Sequence, residues 1–293
     1  MTPDALGKWL SEFLDKATND LSVAGTKSGK KILEHLEFLA SGLARDATGN
    51  IKPTKENLMA LARMRNNISK TVINPEWQKA VRVFEGRMKE AELTVKTYML
   101  EVYGNEFNSN APVFAAIREN SILLTRESLL SSGITKELTQ PLQQILIRSV
   151  TAGIPYRDLI AQARLILEEN GGRLSRWVKQ IVNDQATRYV RNYIHTAAQG
   201  LDSEWFRYSG GLVRDSRPFC VLRAGKDYHI SEIRSWATQE WAGKDKLTTA
   251  ENIIDLLGGY NCPHIAIPVM EKSVDASRRK AFEGEAAFEK ETA

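Results

Sequence analysis

Between Trp77 and Val102 the apolar residues Trp77, Val81, Phe84, Met88, Ala91, Val95, Tyr98 and Val102 recur alternately four and three positions apart. An average repeat of 3.5 residues keeps one seam turned toward a neighbouring helix along its whole length, so this stretch has to run as a long helix packed beside another. Asn74-Pro75-Glu76 opens it and Gly104-Asn105 closes it. The seam is expected to pack within the chain as the core of a helical bundle, with a coiled coil between chains as the alternative.

Other helices are announced by the same physical signals. Thr2-Pro3-Asp4 reads as cap, first turn and dipole-matched acid, and Leu6, Trp9, Leu10, Phe13, Leu14 and Ala17 follow at helical spacing. A second helix is expected from about Lys30 through Ala40, and a third after Pro53-Thr54 with Leu58, Leu61, Ala62 and Ile68. From Ile117 to Leu138 the pattern weakens. Helices resume at Gln140-Pro141, at Pro155, and from Leu174 to Gly200, where Trp177, Ile181, Val182, Tyr189, Tyr193 and Ile194 recur.

After Gly200 the character changes. Trp205-Phe206-Arg207-Tyr208 and Leu212-Val213-Arg214 read as two short strands about Ser209-Gly210-Gly211. Helical spacing returns at 230–241 and 250–257, and Ile265-Ala266-Ile267-Pro268-Val269 reads as extended. The expected fold is α+β, predominantly α. Its parts are a helical N-terminal region (1–135), a helical connector (136–200), a small mixed module with short antiparallel strands (201–270) and a charged tail (271–293), a loose helix or disordered, in which Phe282 and Phe288 are the anchors available.

Composition excludes several classes. With 293 residues, 42% hydrophobic and 26% charged, the chain is globular. Two cysteines cannot build a disulfide scaffold and point to a reducing compartment. The opening residues lack the pattern of a secretory signal, and no apolar run approaches the ~18 residues of a membrane span, so a soluble protein is expected. Gly25-Thr26-Lys27-Ser28-Gly29-Lys30 resembles a phosphate loop, but it has three residues between its glycines, Lys31 after the lysine and a helix before it; an inter-helix loop is expected instead. No zinc-protease helix and no Gly-x-Ser-x-Gly elbow occurs.

The chemistry-bearing residues concentrate in two segments: Arg214-Asp215-Ser216-Arg217-Pro218-Phe219-Cys220, and Gly258-Gly259-Tyr260-Asn261-Cys262-Pro263-His264. Each cysteine stands in a Gly/Pro turn, and the two are expected to meet. Cys220, His229, Cys262 and His264 supply the atoms of a tetrahedral zinc site, although the usual Cys-x-x-Cys knuckle is missing because position 223 is Arg. Two reduced thiols packing as small hydrophobes, with no cofactor, are the primary expectation; a structural zinc is the alternative. Trp205, Arg214, Asp215, Arg217, Cys220, Asn261, Cys262 and His264 are expected to form the module's core, with Arg214 paired to Asp215.

On these motifs, with Gly153-Ile154-Pro155-Tyr156-Arg157-Asp158-Leu159 before the connector helices, residues of about 150–270 resemble the phage Mu F-type minor head protein (phage head morphogenesis) family. Members often carry a second Cys three after the first and close with Cys-Arg-Cys; this chain has Arg223 and His264 at those places. The resemblance implies a non-enzymatic minor capsid protein of a bacteriophage, associated with the portal during head assembly and with packaged DNA as a further contact. Major capsid or scaffold protein are further partners of that kind, a membrane is not, and the location is the virion, or the host cytoplasm during assembly.

Charge distribution marks one further surface. Residues 136–200 hold nine basic and five acidic groups, and on the last connector helix Arg173, Arg176, Lys179, Arg188 and Arg191 face the single acid Asp184. This face is a candidate contact for nucleic acid or portal, against a merely solvated helix face. The rival reading from another class is a metal-dependent nuclease or phage-associated toxin, with His264 activating water, Asp215 and His229 holding the ion, and the basic connector carrying nucleic acid.

Overall fold

The computed structural model describes residues 1–108, 111–167, 172–260 and 262–292, with the side chains at 65, 66, 69, 172, 173 and 285–292 outside the description. The fold is α+β and predominantly α, 71% helical with one three-stranded antiparallel sheet. No described helix is long and apolar enough to cross a membrane.

The helices are α1 (Pro3–Ser41), α2 (Lys55–Val72), α3 (Pro75–Tyr103), α4 (Pro112–Leu130), α5 (Ser132–Ile134), α6 (Gln140–Thr151), α7 (Tyr156–Leu167) and α8 (Gly172–Gln199). Then follow β1 (Trp205–Ser209), α9 (Pro218–Arg223), β2 (Asp227–His229), α10 (Ile230–Ser235), α11 (Ile253–Leu256), β3 (Ile265–Val269) and α12 (Ala276–Thr292).

The heptad stretch is α3. Asn74 Oδ1 accepts from the Trp77 backbone N–H at 2.9 Å, capping its start, and Gly104 takes φ +57° just past its end. Trp77, Val81, Phe84, Met88, Ala91, Val95 and Tyr98 are each at most 1% exposed, so the seam packs inside the chain.

One expected break is absent. The two helices foreseen on either side of 25–30 are a single helix, α1, and the suspected loop is helical. Its glycines serve close packing instead. A Cβ on Gly29 would stand 3.0 Å from the Leu167 carbonyl oxygen, and one on Gly25 would lie 3.8 Å from both Trp77 and Leu174. Tertiary contact here outweighs the ~1 kcal/mol that each glycine costs a helix.

The weak pattern from 117 to 138 also hides a helix. In α4 the buried positions include Ser121 and Thr125, while Leu123 and Leu124 are 63% and 43% exposed, so the inner face does not read as apolar. A π-helical turn, Thr135–Thr139, joins α5 to α6. Pro141 explains it, because proline has no N–H to give and its ring crowds the carbonyl four residues back.

By contact the chain forms two compact units, one from Met1–Asp15, Arg87–Ser121 and Asn183–Ala293, the other from Lys16–Gly86 and Ile122–Val182. The boundary drawn near 200 marks the change from helix to mixed structure and that near 135 falls within a run of helices; neither is an edge of a unit. Helices α1, α3, α4 and α8 each contribute to both.

In the second unit Asn57, 2% exposed, fastens the connection into α2: Oδ1 accepts from Ala44 N–H at 2.9 Å, and Nδ2 donates to the carbonyls of Ala44 and Lys52. In the first unit the sheet order is β2-β1-β3, with Trp205 opposite both His229 and Val269. The expected strand at 212–214 does not form; Leu212 and Val213 are 49% and 71% exposed in a loop, and the partners of β1 come from later in the chain. The helix foreseen over 230–241 ends as α10 followed by a 3-10 turn, Trp236–Thr238, and that over 250–257 shortens to α11. The tail forms α12, anchored by Phe282, which stacks on His229 at 4.2 Å and meets Trp205 edge-on at 5.4 Å.

Candidate functional site

Pro218 opens α9 at the first helical positions, and the helix buries Phe219 and Cys220 on its inner side. Cys220 is thus helical, not in a turn as expected. Cys262 and His264 lie on the segment that leads into β3, and Tyr208 comes from β1, the central strand. All four are 1–4% exposed.

The two cysteine segments meet. Cys220 Sγ lies 3.8 Å from Cys262 Sγ, which lies 3.5 Å from His264 Nδ1. The Tyr208 hydroxyl donates to Cys220 Sγ at 3.3 Å and stands 3.9 Å from Cys262 Sγ. Gly258 makes room for this cluster: a Cβ there would fall 2.6 Å and 2.7 Å from the two sulfurs. Gly210 does the same beside His264, where it holds φ +146°.

Two arginines organise the enclosing segment. Arg191, 4% exposed on α8, donates to the carbonyls of Asp255, Leu256, Cys262 and His264 at 2.7–3.1 Å. Arg217 donates to the carbonyls of Gly258 and Tyr260 at 3.2 and 2.6 Å. Five donors on a rigid planar fork let one guanidinium satisfy several buried carbonyls that have no ladder partner.

Electrostatics divides the thiol pair. The Cys220 thiol beside Cys262 draws the Cys262 thiol well below its ordinary range, with His264 and Arg191 adding to the effect. Cys220 is pushed up by that same contact and by burial. Burial likewise drives the Tyr208 hydroxyl well above the usual tyrosine value.

Of the expected core residues, Trp205, Cys220, Cys262 and His264 are buried, although Trp205 belongs to a separate small core with Val269, Val274 and Phe282. Arg217 braces the loop. Arg214 and Asp215 do not, since both are exposed and no ion pair joins them among the described residues. The short side of the loop is held instead by Ser216, whose Oγ accepts from Val213 N–H at 2.8 Å. Asn261 lies outside the described residues.

His229 is not in the cluster. It caps α10, accepting on Nδ1 from Ser231 N–H at 3.3 Å, and packs against Trp205 and Phe282. Among the described residues, Cys220, Cys262 and His264 alone form a group able to share a metal ion, with ligand atoms all within 4.8 Å of one another.

The basic face also needs correction. Arg191 is buried and points inward, and Arg188, although exposed, lies 3.5 Å from the Asp245 carboxylate. Arg176 and Lys179 are exposed, and the Arg173 side chain lies outside the description.

Sequence reasoning passed over Tyr208, Arg191 as a brace, and a pair formed by His195 and Asp255. His195 Nδ1 lies 3.0 and 3.1 Å from the two Asp255 oxygens. Arg191 could have been found, because Thr187, Arg191, Ile194 and Ala198 share one buried helical stripe.

The cavity that reaches Cys262 and Arg191 holds about 20 Å³, room for a single water. A wider cleft of about 330 Å³, beside Tyr103, Glu204, Trp205 and Glu271, contains no member of the cluster. The cluster is thus enclosed, with its members at most 4% exposed. No family model, curated protein or solved structure matches the chain.

Proposed function

We propose that this chain is a minor head protein of a tailed phage or prophage, a non-enzymatic component that associates with the portal while the head is assembled. The observation that supports this reading best is the closure of its two motif segments, 217–220 and 258–264, around thiols and an imidazole at most 4% exposed. Residues enclosed in that way organise a module for docking. They do not work on a substrate.

The partner is the portal protein, with major capsid or scaffold protein and packaged DNA as further contacts. Arg176 and Lys179 carry the positive charge suited to an acidic protein surface or to phosphates. The place of action is the assembling head in the host cytoplasm and then the virion. For the nuclease or toxin reading, His264 would need to face a scissile phosphate, but it is 1% exposed, and Asp215 does not belong to the group around it.

Co-expression with the portal protein from the same genome tests the proposal. The full chain is expected to co-purify with the portal and with heads. Binding should fall as salt screens the charges over about 10 Å at 0.1 M, and fall further in an Arg176→Glu, Lys179→Glu variant of unchanged helicity. Absence from heads at every salt concentration, or magnesium-dependent cleavage of DNA that disappears in His264→Ala, would overturn it.

A further inference from the structure

We propose that Cys220, Cys262 and His264 bind one zinc ion, with the Tyr208 hydroxyl at the fourth corner. This rests on geometry alone and stands whether or not the chain is a head protein.

Zinc bonds of about 2.3 Å to sulfur and 2.0–2.1 Å to nitrogen, at tetrahedral angles, put two sulfurs about 3.8 Å apart and a sulfur and nitrogen about 3.6 Å apart. The corresponding separations are 3.8 Å between Cys220 Sγ and Cys262 Sγ, and 3.5 Å between Cys262 Sγ and His264 Nδ1. An oxygen ligand at the fourth corner would lie about 3.5 Å from each sulfur by the same geometry. Tyr208 Oη lies 3.3 and 3.9 Å from them.

Neither a disulfide nor a hydrogen-bonded core histidine accounts for the cluster. A disulfide needs sulfurs about 2.0 Å apart, far inside the observed separation. A histidine satisfied by hydrogen bonds in a core would have partners for both nitrogens, whereas His264 Nε2 is buried with none and Nδ1 has only a sulfur at 3.5 Å. A metal on Nδ1 supplies the strong bond that this nitrogen otherwise lacks.

The surroundings are built as an outer shell. Arg191 bonds the carbonyls of both Cys262 and His264, holding two ligands by their backbone, and Gly258 leaves the space that any side chain would take from the sulfurs. Two thiolates neutralise the dication, so the loaded centre buries no net charge. Each coordinating thiol releases its proton to solvent, which makes loading proton-releasing.

The test is metal analysis of the full chain, purified without a histidine tag, followed by cobalt replacement under reducing conditions. One zinc per chain is expected, and the cobalt form should show sulfur-to-cobalt charge transfer with the intense visible bands of a tetrahedral site. Cys262→Ser and His264→Ala should lose affinity at least ~10-fold. Should those variants fail to fold, His264→Cys is expected to keep the ion and strengthen the charge-transfer band. Tyr208→Phe should alter the visible bands, and an unchanged spectrum would remove Tyr208 from the fourth corner. A chain that holds no metal after exposure to excess zinc, or variants that hold it as well as the parent, would overturn the proposal.

Discussion

In the unit formed by 16–86 and 122–182, burial follows the helical repeat: Leu33, Leu36, Ile68, Trp77, Val81, Leu142 and Leu146 go inside at intervals of three and four. In the stretch from Trp205 to Val269 little secondary structure is regular, and carbonyls without ladder partners are met by side chains, chiefly Arg191 and Arg217. The first region spreads its stability over many interchangeable apolar contacts. The second has an apolar core of its own, with Phe206, Phe219, Ile233, Trp236, Ile253 and Leu257, and adds to it a few polar side chains, each of which satisfies several groups. Damage should accordingly be graded by volume removed in one region and by bonds orphaned in the other.

Trp77→Ala should have the largest effect, about 3–5 kcal/mol, because it opens a cavity in the seam and frees the Leu129 carbonyl that the Trp77 indole N–H bonds at 2.8 Å. Denaturant unfolding followed by circular dichroism measures it. A loss under about 1 kcal/mol would mean that the seam does not carry the helical unit.

Arg191→Met comes next, at about 3 kcal/mol, since a side chain of similar length takes the guanidinium from the carbonyls of Asp255, Cys262 and His264 and leaves that of Leu256 with only the Gly259 N–H. Arg188→Met on the same helix removes a half-exposed ion pair and should cost no more than about 1 kcal/mol. Equal effects from the two substitutions would erase the distinction between brace and surface charge.

Gly258→Ala should cost about 1–3 kcal/mol through overpacking, as the added carbon meets both sulfurs. Thermal unfolding of the purified chain reads this, and a neutral result would show that the cluster is loosely packed.

The smallest effect appears in alkali. In the metal-free chain burial holds the Tyr208 hydroxyl above its ordinary value of 10.0, so above about pH 10 the unfolded chain gives up a proton that the folded chain keeps. The stabilisation is fully present below that pH and is lost as pH rises beyond it. Tyr208→Phe should flatten this decline in a stability profile against pH; an unchanged slope would place the alkaline sensitivity elsewhere.

The same contrast explains what was legible beforehand. The seam of α3 was readable because a fixed period encodes it, its ends because Asn74-Pro75 and Gly104 mark them, and 265–269 because a short unbroken apolar run suits a buried strand. So was the meeting of Cys220 with Cys262, since two segments that read as similar turns offered no other packing reason to carry thiols, even though that of Cys220 proves to be helical. The continuity of α1 was not readable, because glycine signals both a break and a close approach, and only the neighbours decide which. Arg214 and Asp215 looked like a brace by adjacency, but Arg217 holds that place because it caps α9 and faces the carbonyls of Gly258 and Tyr260. Partners of β1 that lie about twenty and sixty residues further on carry no local signal.

Hydrogen exchange over 255–260 tests the central claim most directly. If the enclosing segment is a fixed part of the fold, its protection in the parent chain should approach that of the α3 seam, persist in Arg188→Met and collapse in Arg191→Met while α3 stays protected. Rapid exchange over 255–260 in the parent chain would contradict the account, because a segment already open cannot be what holds Cys220, Cys262 and His264 together.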